Sequence, residues 1–260
     1  MTIDTSESKK WVEDPYFEKF YRIPKIYYLD RMRKLGFDPR GKRILDFGCG
    51  SGLITDGIAA HLNPNQVVGV DVTLGVDDIE NSAVANRYNF NLSSLKERVE
   101  FVTTKVEGSL GHQCFDAVLS WSVIEHIDRR SFEREINKIY ECLALNGVAI
   151  IQSAPIYYSP FGSHVYAMPP WSHLYMSESE FEHELRKLEA PSRVTSLLQC
   201  KNTLNRMTSR GISRVFECSG FRILDYYATR STLIPPDYLL DVYSSELLQD
   251  EQAVWVLSKG

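Results

Sequence analysis

The sequence predicts a doubly wound α/β domain, a mostly parallel sheet with helices on both faces. Three observations predict it. Short apolar bursts alternate with amphipathic stretches from Lys42 onward, the connections are long enough to cross over as helices, and the first burst runs directly into glycines. A parallel pair cannot be closed by a tight turn, so each connection must cross over, most simply as a helix.

A first helix is expected from Pro24 to Leu35, where Ile26, Leu29, Met32 and Leu35 share a face and Gly36 stops it. Arg43 to Phe47 then reads as a strand, Gly52 to Leu62 as a helix, Gln66 to Asp71 as a strand and Asp77 to Tyr88 as a helix. Val99 to Thr103, Phe115 to Trp121 and Val148 to Ser153 continue the strands, with a helix from Ser131 to Leu143 between the last two. After Ser153 the rhythm breaks into a stretch crowded with Tyr157, Tyr158, Phe161, His164, Tyr166, Trp171, His173 and Tyr175. Its aromatic content argues against disorder and for a lid or binding segment. Helices are expected from Ser177 to Leu188 and through Asn202 to Cys218. Phe221 to Tyr227 and Ala253 to Ser258 are strand-like runs that would pair antiparallel at one edge of the sheet, completing seven strands.

Composition narrows the function. In 260 residues, 29 Lys and Arg stand against 34 Asp and Glu, a net charge of -5 that disfavours electrostatic binding of nucleic acid. No apolar run approaches the roughly 18 residues of a membrane span, so no membrane partner is expected. The opening MTIDTSESKK lacks the apolar core of a secretory leader and the arginines of a transit peptide, which predicts a cytoplasmic protein. Cys49, Cys114, Cys142, Cys200 and Cys218 are odd in number and scattered without a CxxC pair, and read as reduced core thiols.

The sharpest signal is Ile44-Leu45-Asp46-Phe47-Gly48-Cys49-Gly50-Ser51-Gly52, a strand that enters a glycine turn and then a helix. Glycines let the backbone turn tightly and approach a ligand at the carboxyl edge of such a sheet. A dinucleotide fingerprint would place its third glycine where Leu53 stands, so the register opposes a pyrophosphate loop and a nicotinamide oxidoreductase. Asp46 puts a carboxylate beside the turn, which suits a cation or ammonium better than phosphate.

Here the chain resembles the class I S-adenosylmethionine-dependent methyltransferases, whose first motif reads like Leu45 to Gly52. Val67-Val68-Gly69-Val70-Asp71 ends the next strand on an acid, as that family's second motif does. Val99-Glu100-Phe101-Val102 and the run from Phe115 through Glu125, His126 and Ile127 match the third and fourth elements, and Leu143 to Val148 matches a turn that usually reads Leu-x-Pro-Gly-Gly. The resemblance spans roughly Gly41 to Ile151 and the terminal strand pair. It implies a Rossmann-like seven-stranded sheet with an antiparallel edge strand, S-adenosylmethionine as cofactor and S-adenosylhomocysteine as product. It assigns the cofactor to Asp46, Gly48, Cys49, Gly50, Asp71, Val72, Lys105, Val106 and Ser120, with Asp71 on the ribose hydroxyls and Val106 backbone near the adenine. Lys105 stands where similar enzymes often carry Asp. It also implies an N-terminal cap region over 1–40, a methyltransferase domain over 41–260, and an inserted acceptor-binding or lid segment over 154–200.

His126, His164 and His173 are the candidate bases, because an imidazole titrates near neutral pH. The expected reaction is O-methylation of a small molecule such as a glycan, lipid precursor or secondary metabolite. RNA 2′-O-methylation and a non-catalytic cofactor-binding module are the alternatives. In small-RNA and some quinone-ring methyltransferases a Glu-x-x-Glu-His motif holds a divalent metal; here Ser122 stands at the first Glu position. A remnant of Glu125, His126 and His173 would be poorer in charge than Mg²⁺ prefers, so a metal is not the favoured reading. Arg206, Arg210 and Arg214, spaced by four, read as one face of a helix, solvated or meeting an anionic substrate group. Composition fits a monomer or an oligomer equally.

Overall fold

The computed structural model describes residues 20–72, 97–103, 110–111 and 114–259. A π-helical turn, Pro24–Tyr28, continues into α1 (Leu29–Lys34) and is followed by β1 (Arg43–Phe47), α2 (Leu53–Leu62), β2 (Gln66–Asp71), β3 (Val99–Thr103) and β4 (Phe115–Trp121). A 3₁₀ turn, Ile124–His126, precedes α3 (Phe132–Cys142) and β5 (Leu143–Ser153). The chain then forms α4 (Ser172–Tyr175), α5 (Glu178–Leu188), α6 (Pro191–Thr203), α7 (Ser209–Cys218), β6 (Phe221–Arg230), α8 (Asp237–Leu240), α9 (Ser245–Gln249) and β7 (Asp250–Lys259). The helix expected over 77–88 lies outside the described residues.

The seven strands form one sheet in the order β3-β2-β1-β4-β5-β7-β6. β1 runs parallel to both β2 and β4, and β2 to β3. The sheet therefore winds outward in two directions from β1 and β4, the switch point where doubly wound folds bind ligands. The C-terminal pair closes one edge as expected. Ser231 N–H donates to the Gln249 carbonyl at 2.8 Å where β6 turns back into β7, so these two strands run antiparallel. β7 is also reversed against β5: its last residue Lys259 donates to the carbonyl of Leu143 at the start of β5, while Ile156, just past the end of β5, donates to Glu251 at the start of β7.

The chain divides into two compact units, one of residues 1–120, 141–150 and 259, the other of residues 121–140, 151–258 and 260. In the first, Ile44, Leu45, Val67, Val68, Ala117, Val118 and Leu119 are buried along the parallel strands. That continuous burial is why these strands read as apolar bursts and not as an alternation. β1 is anchored at its start by Asp116, which accepts from Arg43 N–H at 2.9 Å. The N-terminal turn approaches α2 so closely that a Cβ on Gly57 would lie 2.3 Å from the Tyr21 carbonyl oxygen.

In the second unit the aromatic stretch is packed. Val165 and Met168 join Phe181, Leu185 and Val194 of α5 and α6 in one buried cluster, and Trp171 joins Leu239 and Leu248 in another. Trp171 Nε1 donates to the Leu248 carbonyl at 3.0 Å. α5 begins on a capping box in which Ser177 Oγ accepts from Glu180 N–H and the Glu180 carboxylate accepts from Ser177 N–H.

Several boundaries differ from the sequence reading: α6 (Pro191–Thr203) is not among the expected helices, β6 runs on to Arg230 and β7 starts at Asp250. β5 starts five residues early, directly after α3, where the side-chain Nζ of Lys259 donates to the carbonyls of Glu141 and Leu143. The helix expected through Asn202 to Cys218 is interrupted between α6 and α7. Asn205 spends its side chain on the Ile124 carbonyl and on Met207 N–H, and Thr208 caps α7 by accepting from Gly211 N–H. Arg206, at φ 57°, therefore sits on a loop and shares no helical face with Arg210 and Arg214.

Candidate functional site

The first unit carries the glycine turn. Gly48, Gly50 and Gly52 have φ of 83°, 52° and 86°, the left-handed region where a side chain is strained, which is why three glycines stand here. The turn is pinned to the end of β2: Gly48 and Cys49 N–H both donate to the Val70 carbonyl, at 2.8 and 3.0 Å. Asp71 follows, and its Oδ2 accepts from Gly50 N–H at 2.9 Å. Among the described residues, a Cβ on Gly50 would meet nothing within 4 Å beside the Asp71 carboxylate. A glycine turn tied to an acid at the carboxyl end of a switch-point strand fits the ribose of S-adenosylmethionine, whose hydroxyls donate to a carboxylate.

Other expected cofactor residues take different places. Asp46 is buried, accepts from Thr55 Oγ1 at 2.6 Å, and is pushed up to about 7 by burial, against that hydrogen bond and aided by the charge of Asp71. It is therefore not the ready anion its position before the glycines suggests, because desolvation penalises the charged form. Cys49 is a buried thiol raised by the same desolvation. Ser120 is fully buried and spends its hydroxyl on the Phe47 carbonyl at 2.9 Å, tying β4 to β1. Val72 is 65% exposed after Asp71. Lys105 and Val106 lie outside the described residues.

The second unit carries the histidines. His126 ends the 3₁₀ turn after β4, and its Nδ1 lies 2.8 Å from Thr203 Oγ1. Thr203 gives its own hydroxyl proton to the Cys200 carbonyl at 2.7 Å, so Nδ1 of His126 must be the donor and Nε2 carries the lone pair. His164, at φ 62°, packs edge-on against His126 at 4.9 Å between ring centroids. Its Nε2 lies 3.2 Å from the Pro155 carbonyl, which can only accept, leaving the lone pair on Nδ1. His173 donates from Nε2 to the Tyr157 carbonyl at 2.6 Å, and its Nδ1 is buried. Burial lowers all three, His164 and His173 to about 4. His173 is thus a clamp on the Tyr157 backbone, while His126 and His164 each keep an acceptor nitrogen and partial exposure, as proton transfer requires.

Glu125 departs from the imagined metal remnant. It is buried, accepts from Ser153 Oγ at 3.0 Å, and is pushed up to about 8 by burial, which makes it neutral at pH 7. It borders, with Tyr157, Asn205 and Arg206, a cavity of about 10 Å³, room for about one water. Arg206 lies 5.4 Å over the Tyr157 ring and 3.6 Å from Glu178. Cys200, which no sequence motif singles out, is brought beside His126 and His164, as taken up below.

The methyltransferase-domain family matches residues 21–226. The chain is 32% identical over 114 residues to the mitochondrial ubiquinone biosynthesis O-methyltransferase of Rattus norvegicus, covering 43% of this chain and 30% of that protein. It is 27% identical over 146 residues to the ubiquinone biosynthesis O-methyltransferase of Rickettsia typhi, covering 55% and 54%. The chain thus spans about half the length of one relative and a third of the other. Among solved structures it is similar to an S-adenosylmethionine-dependent methyltransferase from Mesorhizobium loti, with a TM-score of 0.53 at 15% identity over 93% of this chain and 99% of that one. No described helix is long and apolar enough to cross a membrane. With a family match over most of its length, the chain belongs to the S-adenosylmethionine-dependent methyltransferases.

Proposed function

We propose that the protein transfers a methyl group from S-adenosylmethionine to a hydroxyl oxygen of a small organic acceptor. The observation that carries the cofactor half is the hydrogen bond from Gly50 N–H to Asp71 in a left-handed glycine turn. The names of the curated relatives, O-methyltransferases of ubiquinone biosynthesis, support an oxygen acceptor.

When bound, the cofactor supplies a methyl group already activated by its sulfonium charge. The chain's own residues then have two tasks. Asp71 would hold the ribose hydroxyls, its carboxylate presenting several acceptor positions, while the Gly48 to Gly52 turn keeps side chains away from the ligand. His126 Nε2 would take the acceptor's hydroxyl proton, since its Nδ1–H is fixed by Thr203 and burial keeps the ring neutral and ready to accept.

The test is transfer of labelled methyl from S-adenosylmethionine to a catechol, a simple glycoside and a primary amine, with His126→Ala beside the native chain. Expected is labelling of a hydroxyl acceptor that falls about 10²–10³-fold in kcat in the variant, within the range of general-base contributions, with S-adenosylhomocysteine binding intact. Labelling of the amine alone would sink the oxygen acceptor, and an undiminished kcat would remove His126 as base.

A further inference from the structure

His126, His164 and Cys200 each offer a donor atom, and these atoms lie within 4.8 Å of one another. The three residues come from the 3₁₀ turn, the aromatic stretch and the last turn of α6, so only folding assembles them. All three are partly buried.

Hydrogen bonds outside the cluster prepare the donors. The Nδ1–H of His126 is held by Thr203 Oγ1 and the Nε2–H of His164 by the Pro155 carbonyl. Each imidazole is thereby fixed with one lone-pair nitrogen, the arrangement that orients metal-ligating histidines. Thr203 also donates to the Cys200 carbonyl, so one residue ties two of the three donors together. A tetrahedral zinc ion, with bonds of about 2.0–2.1 Å to nitrogen and about 2.3 Å to sulfur, needs its donors to close by roughly 1 Å from the observed limit. That is within the reach of side-chain rotation about a half-buried cysteine.

The donor chemistry selects the ion. Two imidazoles and a thiol suit Zn²⁺ or Co²⁺, whereas Mg²⁺ and Ca²⁺ seek oxygen. The buried acid next to His126 in the chain, Glu125, is committed to Ser153 Oγ and Ala154 N–H and is not among the clustered donors. Burial raises the thiol of Cys200, but a coordinating metal removes a thiol proton outright.

We propose that His126, His164 and Cys200 form a binding site for a borderline-soft divalent cation, Zn²⁺ or Co²⁺, with a fourth position open to water or an oxygen ligand. The binding stands apart from the proposed reaction. One consequence rests on that reaction: a cation on the His126 ring competes with the proton that ring is proposed to take, so zinc-loaded protein should turn over more slowly.

Binding is tested without an activity assay. The reduced, metal-free chain is titrated with Co²⁺, then with Zn²⁺ and Mg²⁺. Expected is one equivalent of cobalt with thiolate-to-cobalt charge-transfer absorption and the visible bands of a tetrahedral site, displaced by zinc and untouched by magnesium. Cys200→Ser should abolish the charge-transfer band and His164→Gln should weaken binding about tenfold or more, as loss of a good ligand interaction does, while Cys218→Ser changes nothing. Zinc-edge X-ray absorption on the native chain provides a check that needs no variant, with one sulfur at about 2.3 Å as the expected shell. No charge-transfer band in the native chain, a band that survives Cys200→Ser, or a zinc shell without sulfur would overturn the site.

Discussion

Asp46 shows how a residue legible in type can be illegible in state. Its place ahead of Gly48 is readable from the chain, but its charge is set by complete burial and by Thr55, nine positions on across the turn. The carboxyl rises from an ordinary 3.8 to about 7, so the folded protein holds a proton that the unfolded chain releases. More protons on the folded state make stability fall as pH rises. The contribution is intact below about pH 4 and lost as pH climbs through about 7. Asp46→Asn, neutral at every pH, is expected to flatten the decline in urea-unfolding free energy between those limits; an unchanged slope would place the proton elsewhere. The histidines teach the same lesson. Their presence is legible, whereas their tautomers are set by Thr203 and Pro155, contacts that no local spacing announces.

Among the elements, those read from periodicity are found within a residue or two where local sequence decides the outcome. β1, β2, β3 and β4 start and stop where the apolar bursts do, and Ser177 caps α5 through a box legible as Ser-x-x-Glu. The break between α6 and α7 was not legible, because Asn205 leaves the helical pattern to satisfy the Ile124 carbonyl, 81 positions away. Gly57 marks a close approach of the same non-local kind. Inside α2, glycine is unfavourable for the helix and alanine would ordinarily improve it. Here the added methyl would fall 2.3 Å from the Tyr21 carbonyl oxygen, against backbone that cannot swing aside. Gly57→Ala is therefore expected to destabilise the protein by about 1–3 kcal/mol, the range for overpacking, read as a lower urea midpoint with an unchanged m-value. A stabilised variant would show that the N-terminal turn does not hold that approach.

For the molecule as a whole, the sheet order β3-β2-β1-β4-β5-β7-β6 places the glycine turn at the switch point, and Asp71 ends the neighbouring strand. Ligand that binds only the folded chain stabilises it by mass action. S-adenosylhomocysteine at a hundredfold excess over Kd should add about 2.7 kcal/mol, a Tm rise of roughly 5–11 °C for a chain of this size. Asp71→Ala should abolish the rise, having lost both the ribose acceptor and the tie to Gly50. A rise that persists in the variant would remove Asp71 from the cofactor's contacts.

The strand and helix periods, the three glycines and the acid after β2 were determined along the chain, because burial on both sheet faces and left-handed backbone each leave a local mark on residue type. The protonation of Asp46 and Glu125, the inward turn of His173, the loop position of Arg206 and the meeting of Cys200 with His126 and His164 were decided by the tertiary structure alone. Desolvation and the pairing of donors with acceptors depend on what surrounds a group in space, and neighbours brought together across many tens of residues leave no period in the sequence.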